Sequence, residues 1–310
     1  MKIIARIGIT RWILTAFFLL SVSCSTYHYE AADTVTVTFY HTSDIHEQSA
    51  NLPQIARLVN DQKDKDSNVL FLDSGDRFNK GDLTPLKTRG EAMSAMVQAM
   101  SYDAVVPGNH DITFGSKRLL ELVDKYSLPL LCANCVWAGN MKPKNVPPYK
   151  IYALDGVTVA IIGTAASILH MAPAGYVGND VDGLLEVRTT TSGIVESIRN
   201  MVINLQEKVD IIVLMTHLGL KADRELAQAL PRIDLIAGGH EHNTFDTMVF
   251  DEQTQTVIQH SGVWGFTVGE VILTWDGKKI VDRKARVIKI TPDMPKSAEL
   301  EAMRKSYLSK

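Results

Sequence analysis

The sequence predicts an α/β fold, and two patterns predict it. Short runs rich in Val and Ile recur at strand length, several of them apolar at every position, which suits strands buried on both faces by helices. Between them lie segments whose apolar residues return every three or four positions, the period of a helix packed on one face. The composition agrees. Of 310 residues, 45% are hydrophobic and 22% charged, ordinary for a chain with a sizeable core. The formal net charge of −3 offers no basic field for a nucleic acid polymer and no polybasic membrane patch.

The first elements are not part of that fold. Lys2, Arg6 and Arg11 form a positive start, and Trp12 to Leu20 is an apolar run too short to span a bilayer. Small residues and Cys24 follow. Residues 1–24 are expected to be a secretory signal, with Cys24 resembling the acylated cysteine of bacterial lipoproteins, although Ser21 stands where leucine is usual. Residues 25–33, which include His28, form a linker. The chain is therefore expected to be exported, as a periplasmic or outer-membrane lipoprotein of a bacterium. It would touch the membrane only through a lipid on Cys24, and the plain alternative is a soluble periplasmic protein.

Strands are expected at Val35–Tyr40, Val69–Leu72, Ala104–Val106, Val157–Ile162, Ile211–Met215 and Leu235–Ala237. Helical spacing appears in Leu52, Ile55, Ala56, Leu58 and Val59; in Met93, Met96, Val97 and Met100; and in Ile194, Ile198, Met201, Val202 and Leu205. The methionines read as core rather than as a cofactor box. After about residue 243 strands follow one another without helices, at Val257–Ile258, Val268–Thr274 and Ile280–Ile290, with Asp276-Gly277 as a hairpin turn. The charged tail 293–310 reads as an amphipathic helix with no evident core to meet. Cys132 and Cys135 follow an apolar run. On an extended strand they would lie roughly 10 Å apart, so a disulfide needs a turn there.

The strand ends carry the chemistry. They read Thr42-Ser43-Asp44-Ile45-His46, Asp73-Ser74-Gly75-Asp76, Pro107-Gly108-Asn109-His110-Asp111, Thr216-His217-Leu218-Gly219 and Gly238-Gly239-His240-Glu241-His242. Ligands of open α/β sheets bind at the carboxyl ends of strands, and five strand ends each deliver Asp, Asn or His to that edge. Asp44, His46, Asp76, Asn109, His217, His240 and His242 are too many donors for one tetrahedral zinc. They suit two divalent ions sharing a carboxylate, with Mn, Zn, Fe, Co and Mg all compatible. In Asp44-x-His46 and His240-x-His242, alternate positions of an extended segment would face the metals together, and Glu241 would point away. Gly75, Gly108, Gly238 and Gly239 would let backbone approach closely. Two divalent ions bring four positive charges, of which two aspartates and a hydroxide cancel three. The remaining charge favours a phosphorylated small molecule over a neutral ester.

This ordered set resembles the calcineurin-like metallophosphoesterases. The stretches Tyr40–His46, Leu72–Asp76, Tyr102-Asp103-Ala104, Ala133-Asn134, Ile162-Gly163-Thr164 and Thr216–Gly219 are similar to the catalytic domain of bacterial 5'-nucleotidases, over roughly residues 34–290. The resemblance implies a layered α/β sandwich with mixed sheets, occupying 34–292, with the active site at the carboxyl ends of the strands. It implies a nucleotide substrate, Asn109 as a ligand that also orients phosphate, Asp76 as the metal bridge and His110 as the general acid for the leaving group. The family usually places an orienting Asp three positions after that histidine, where Thr113 stands. Asp111 is then expected to support a metal ligand or the loop, and His260, in a loop near the metals, to stand behind the ligands or at the substrate rim; His170 is weaker, and His41 reads as core. The longer enzymes carry a base-gripping domain, and the tail from Lys296 resembles the start of the joining helix. A separate chain supplying that domain is therefore expected. Rival readings are a phosphodiesterase or phosphatase acting on cyclic nucleotides, nucleotide sugars or sugar phosphates, a thiosulfate-ester hydrolase, and a non-enzymatic metal-binding subunit.

Overall fold

The structure is a computed structural model, and it describes residues 34–138, 143–166, 185–188, 190–245 and 248–309. The expected signal and linker, with Cys24 and His28, and also His170 lie outside the described residues. From residue 34 on, the chain forms one compact unit.

Two sheets stack face to face. The first has the order β13-β12-β1-β2-β3. Its members are β1 (Val35–Thr42), β2 (Val69–Asp73), β3 (Ala104–Val105), β12 (Thr267–Trp275) and β13 (Ile280–Lys289). The second has the order β10-β11-β9-β8-β6-β5. It comprises β5 (Tyr149–Leu154), β6 (Val157–Gly163), β8 (Ile211–Met215), β9 (Leu235–Gly238), β10 (Val249–Asp251) and β11 (Thr256–His260). A small ribbon of β4 (Cys135–Trp137) and β7 (Leu185–Val187) stands apart from both. The runs β1-β2-β3 and β11-β9-β8-β6 are parallel, while β12, β13, β10 and β5 join by antiparallel pairing.

The period-two geometry of a strand explains the continuous apolar runs. In β1, Val37 and Phe39 enter the core between the sheets, while Tyr40 enters the helical layer outside. The inter-sheet core joins Leu70 and Leu72 to Val159, Ile161, Val213 and Leu235. Outside the first sheet lie α1 (Leu52–Lys63), α2 (Glu91–Met100), α3 (Ser116–Tyr126) and α6 (Ala298–Leu308). Outside the second lie α4 (Thr191–Leu205) and α5 (Leu220–Ala229). The expected layered sandwich with mixed sheets, closed by late antiparallel strands, is what the chain adopts.

Two expectations are corrected. The tail helix α6 does meet a core: Leu300 is buried among α1 and α2 residues, with Met303 and Tyr307 packed alongside. The three-to-four spacing of Leu300, Met303 and Tyr307 carried this, but its short apolar stripe was hidden by flanking charge. Cys132 and Cys135 form a disulfide, with their Cα atoms 5.5 Å apart. The chain bends at Ala133-Asn134 instead of continuing extended. Asn134 holds the bend, donating to the carbonyls of Ala165 and Arg188 at 2.9 and 2.8 Å and accepting from Ala165 N–H.

Candidate metal centre

The parallel strands β1, β2, β3, β8 and β9 all end at one edge, and each end turns sharply. Asp44, His46, Asp76, His240 and His242 take φ values of 54, 52, 58, 88 and 59°. A non-glycine residue in this left-handed region is uncommon, and such strain concentrates where surrounding contacts over-determine it. The two Asp/His-x-His pairs therefore do not converge by extended alternation. Each reaches the centre by a left-handed turn after its strand has ended, so that correction concerns the route and not the destination.

Backbone hydrogen bonds lock these turns to one another. Asp44 N–H donates to Gly75 O at 2.8 Å and His46 N–H to Asp76 O at 2.9 Å. His240 N–H donates to Asp44 Oδ2 at 3.0 Å, and His110 N–H to Asp76 Oδ1 at 2.7 Å. Gly108 must lack a side chain, because a Cβ there would collide with the Asp76 carboxylate and backbone.

The side chains then gather into groups. Asp44, His46 and His242 bring one ligand atom each within 4.8 Å of one another, and so do Asp76, His217 and His240. A further group at that spacing is His46, Asp76 and His110. Asp76 thus belongs to two groups. Its Oδ2 lies 3.2 Å from His217 Nε2 and 3.9 Å from His46 Nε2. Asp44 Oδ1 lies 3.5 Å from His242 Nε2 and 3.7 Å from His217 Nε2. Asn109 Oδ1 joins through His240 Nδ1 at 3.1 Å. All seven sequence-predicted donors are brought together.

The donor set fits divalent cations. His217 Nδ1–H donates to Ser74 O at 2.6 Å and His46 Nδ1–H to Phe78 O at 3.3 Å, since a carbonyl can only accept. Each imidazole is left with an Nε2 lone pair aimed inward, the tautomer a metal ligand needs. His46 Nε2 and His242 Nε2 face each other at 3.1 Å, the arrangement of two ligands of one ion. Asp44 Oδ1 and His217 Nε2 are buried with no hydrogen-bond partner among the described residues. Without a cation the charges are strained accordingly. Burial pushes His46 down to about 3. Burial also disfavours charge on His217, yet Asp76 and Asp44 pull it up to about 10. Burial, aided by Asp76, raises Asp44. It opposes ionisation of Asp76 too, but His217, with His110 and His46, holds that carboxyl well below the usual range.

A supporting layer lies beneath. Asp111 accepts from the N–H groups of Gly108, Asp76 and Arg77 at 2.8, 2.9 and 3.1 Å. It shapes the loops rather than orienting His110, because residues 110–114 form a turn and its carboxylate is folded inward. Both His110 ring nitrogens lack a partner among the described residues. Arg77 was not foreseen. It is fully buried, donating to Asp73 Oδ1 at 2.9 Å and pairing with Asp111 at 3.3 Å. Burial raises Asp73 to about 6, against the pull of Arg77. The one sequence signal was the i, i+4 spacing of Asp73 and Arg77 beside a ligand.

His260 does not reach the rim. It is buried with Nε2 2.7 Å from Asp223 Oδ2, and Asp223 Oδ1 accepts from Thr216 Oγ1 at 2.6 Å. This chain of contacts locks the His217 loop to β11 under Gly238. Glu241 points away as expected and accepts from Leu220 N–H at the start of α5, at 3.0 Å. His41 is a core residue, as expected.

Comparison with known proteins agrees with this geometry. Residues 37–244 match the calcineurin-like phosphoesterase family. A trifunctional nucleotide phosphoesterase protein of Bacillus subtilis (strain 168) is 26% identical over 292 residues, covering 83% of this chain and 19% of that protein. A 5'-nucleotidase of Rattus norvegicus is 26% identical over 250 residues, covering 74% of this chain and 42% of that protein. The crystal structure of a 5'-nucleotidase precursor from Thermus thermophilus superimposes with a TM-score of 0.74 at 22% identity, over 89% of this chain and 59% of that one. The chain thus spans less than two thirds of the length of each.

Proposed function

Because the chain belongs to the calcineurin-like phosphoesterase family, we propose that it hydrolyses phosphate monoesters with two divalent metal ions, most like a 5'-nucleotidase. The observation that carries this reading is that Asp76 groups with His217 and His240 on one side and with His46 on the other, while His46 also groups with Asp44 and His242. Asp44, His46 and His242 would hold one ion, and Asn109, His217 and His240 the other, with Asp76 common to both. When bound, such ions supply Lewis acidity, activating water near neutral pH and neutralising charge on the phosphoryl oxygens.

The chain's own residues do the rest. Asn109 presents its amide beside the ligand cluster and orients a phosphoryl oxygen. His110 stands 4.9 Å from the His46 ring, edge to face, and protonates the leaving alkoxide. Among the described residues no carboxylate hydrogen-bonds the His110 ring; its turn and the bond from its N–H to Asp76 Oδ1 position it. The nucleotide as substrate rests on the relatives named above. Export, acylation of Cys24 and a separate base-binding chain are further proposals, tested by mature N-terminal sequencing, palmitate labelling and co-purification.

The test is chelation. Removing metal should abolish hydrolysis of p-nitrophenyl phosphate and of AMP, and Mn²⁺ should restore both. Full activity in a preparation verified free of metal would sink the proposal.

A further inference from the structure

Beside the candidate centre lies a groove of about 580 Å³ whose lining includes Lys80, Pro85, Lys87, Arg89 and Phe114. That volume falls in the range of small-molecule sites. The groove lies beside the loops that carry His110 and His46. Phe114 follows His110 by one turn, Glu47 follows His46 directly, and Phe78, whose carbonyl accepts from His46 Nδ1–H, has its ring 6.2 Å from that of Phe114.

Its chemistry is one-sided. Lys80, Lys87 and Arg89 make no ion pair among the described residues. The lining carboxylate, Glu47, is already engaged, accepting from Thr84 Oγ1 at 2.6 Å and Asn79 N–H at 3.2 Å. The Arg89 guanidinium lies 6.0 Å over the Phe114 ring, which puts a cation and an aromatic face together. Asn79, Lys80, Lys87 and Arg89 all have positive φ, between 52 and 76°. Four strained residues on one wall indicate that the surrounding contacts impose its shape.

We infer that this groove binds the leaving group, and that the leaving group it fits carries its own phosphate and a planar ring. Lys80, Lys87 and Arg89 take the second phosphate, and the ring stacks on the Phe114–Arg89 pair. The inference rests on the phosphoesterase reading above, since it places the scissile phosphate at the ligand cluster and the leaving group on the His110 side. A substrate such as a nucleoside diphosphate satisfies the groove: water attacks the terminal phosphorus, its anhydride P–O bond breaks, and the nucleoside monophosphate leaves with that oxygen. A small neutral leaving group leaves it empty.

The test uses the full chain with Lys87→Gln and Arg89→Gln combined, since both side chains are exposed and glutamine keeps much of their length. In Mn²⁺-loaded protein, the ratio of kcat/KM for ADP to kcat/KM for p-nitrophenyl phosphate should fall at least about tenfold, mostly through KM. The double charge reversal, Lys87→Glu with Arg89→Glu, should lower it further. Calorimetry with AMP on the chelator-treated chain supplies a readout free of turnover, and binding there should weaken about tenfold in the double glutamine variant. An unchanged ratio with both substrates still hydrolysed overturns the groove and leaves the phosphoesterase reading intact. Groove-dependent AMP binding in a chain that hydrolyses neither substrate does the reverse. Absence of both sinks both.

Discussion

Single residues separate three jobs that lie within a few ångströms. Asp76 lies in two ligand groups, so Asp76→Asn should empty the centre of both ions, read by metal analysis. His110 should be dispensable for binding metal. His110→Ala is expected to keep about two ions per chain while turnover falls ~10²–10⁴-fold, less for a p-nitrophenolate leaving group that needs no proton. Loss of metal in that variant would instead place His110 among the ligands, an alternative its spacing to His46 and Asp76 leaves concrete. Arg77 does neither job. It is a buried cation between Asp73 and Asp111, and the Asp111 carboxylate in turn holds the loops of Asp76 and Gly108. Removing one member of a buried ion network strands the others. Arg77→Met should therefore lower unfolding free energy by about 3–5 kcal/mol, measured by urea denaturation. A cost below about 1 kcal/mol would show that the carboxylates are neutral there.

At the scale of elements, parallel strands aim while the turns after them place. Thr42 and Asp73 pair across β1 and β2, so Asp44 and Asp76 emerge side by side. The ligands from β8 and β9 come from the other sheet, and Ser74 ties the two together. Its carbonyl accepts from His217, and its hydroxyl donates to Ala237 O at 2.9 Å. The helix α6 stands far from the ligands in sequence but not in packing. Leu300 is 1% exposed, and Arg304 pairs with Asp82 at 3.0 Å and donates to Ser49 Oγ at 3.0 Å. Leu300→Ala should cost about 2–5 kcal/mol of stability through the cavity it leaves. The metal content of the folded variant should not change. An unaltered denaturation midpoint would mean that α6 adds nothing to the folded domain.

For the whole molecule, the centre is a seam. Three of its loops belong to one sheet and two to the other, so bound ions would cross-link the sandwich at its carboxyl edge. Ligands that bind only the native state stabilise it by mass action, about 2.7 kcal/mol at a hundredfold excess over Kd. Mn²⁺ should thus raise Tm of the chelated chain in a concentration-dependent way, and the Asp76→Asn variant should show no such rise. A Tm indifferent to Mn²⁺ in the unsubstituted chain would argue that the seam does not hold metal.

The α/β class, the central strands and the seven donors were legible in the sequence, because periodicity and strand-end residue types are local properties of the chain. Helix α6 and the Cys132–Cys135 bridge escaped it. One depends on a partner surface formed by α1 and α2, the other on a bend held by Asn134 through contacts with Ala165 and Arg188. Which of its two expected places His260 takes was open for the same reason: its neighbour Asp223 is distant in sequence, and nothing local records that they meet. Which donors gather around Asp76, and their arrival by left-handed turns, came from the packed fold. It also decided that Arg77 lies buried between two carboxylates, and that Lys80, Lys87 and Arg89 line one groove. Those are facts of packing between loops far apart in the chain, where burial and the cost of unpaired charge select one arrangement.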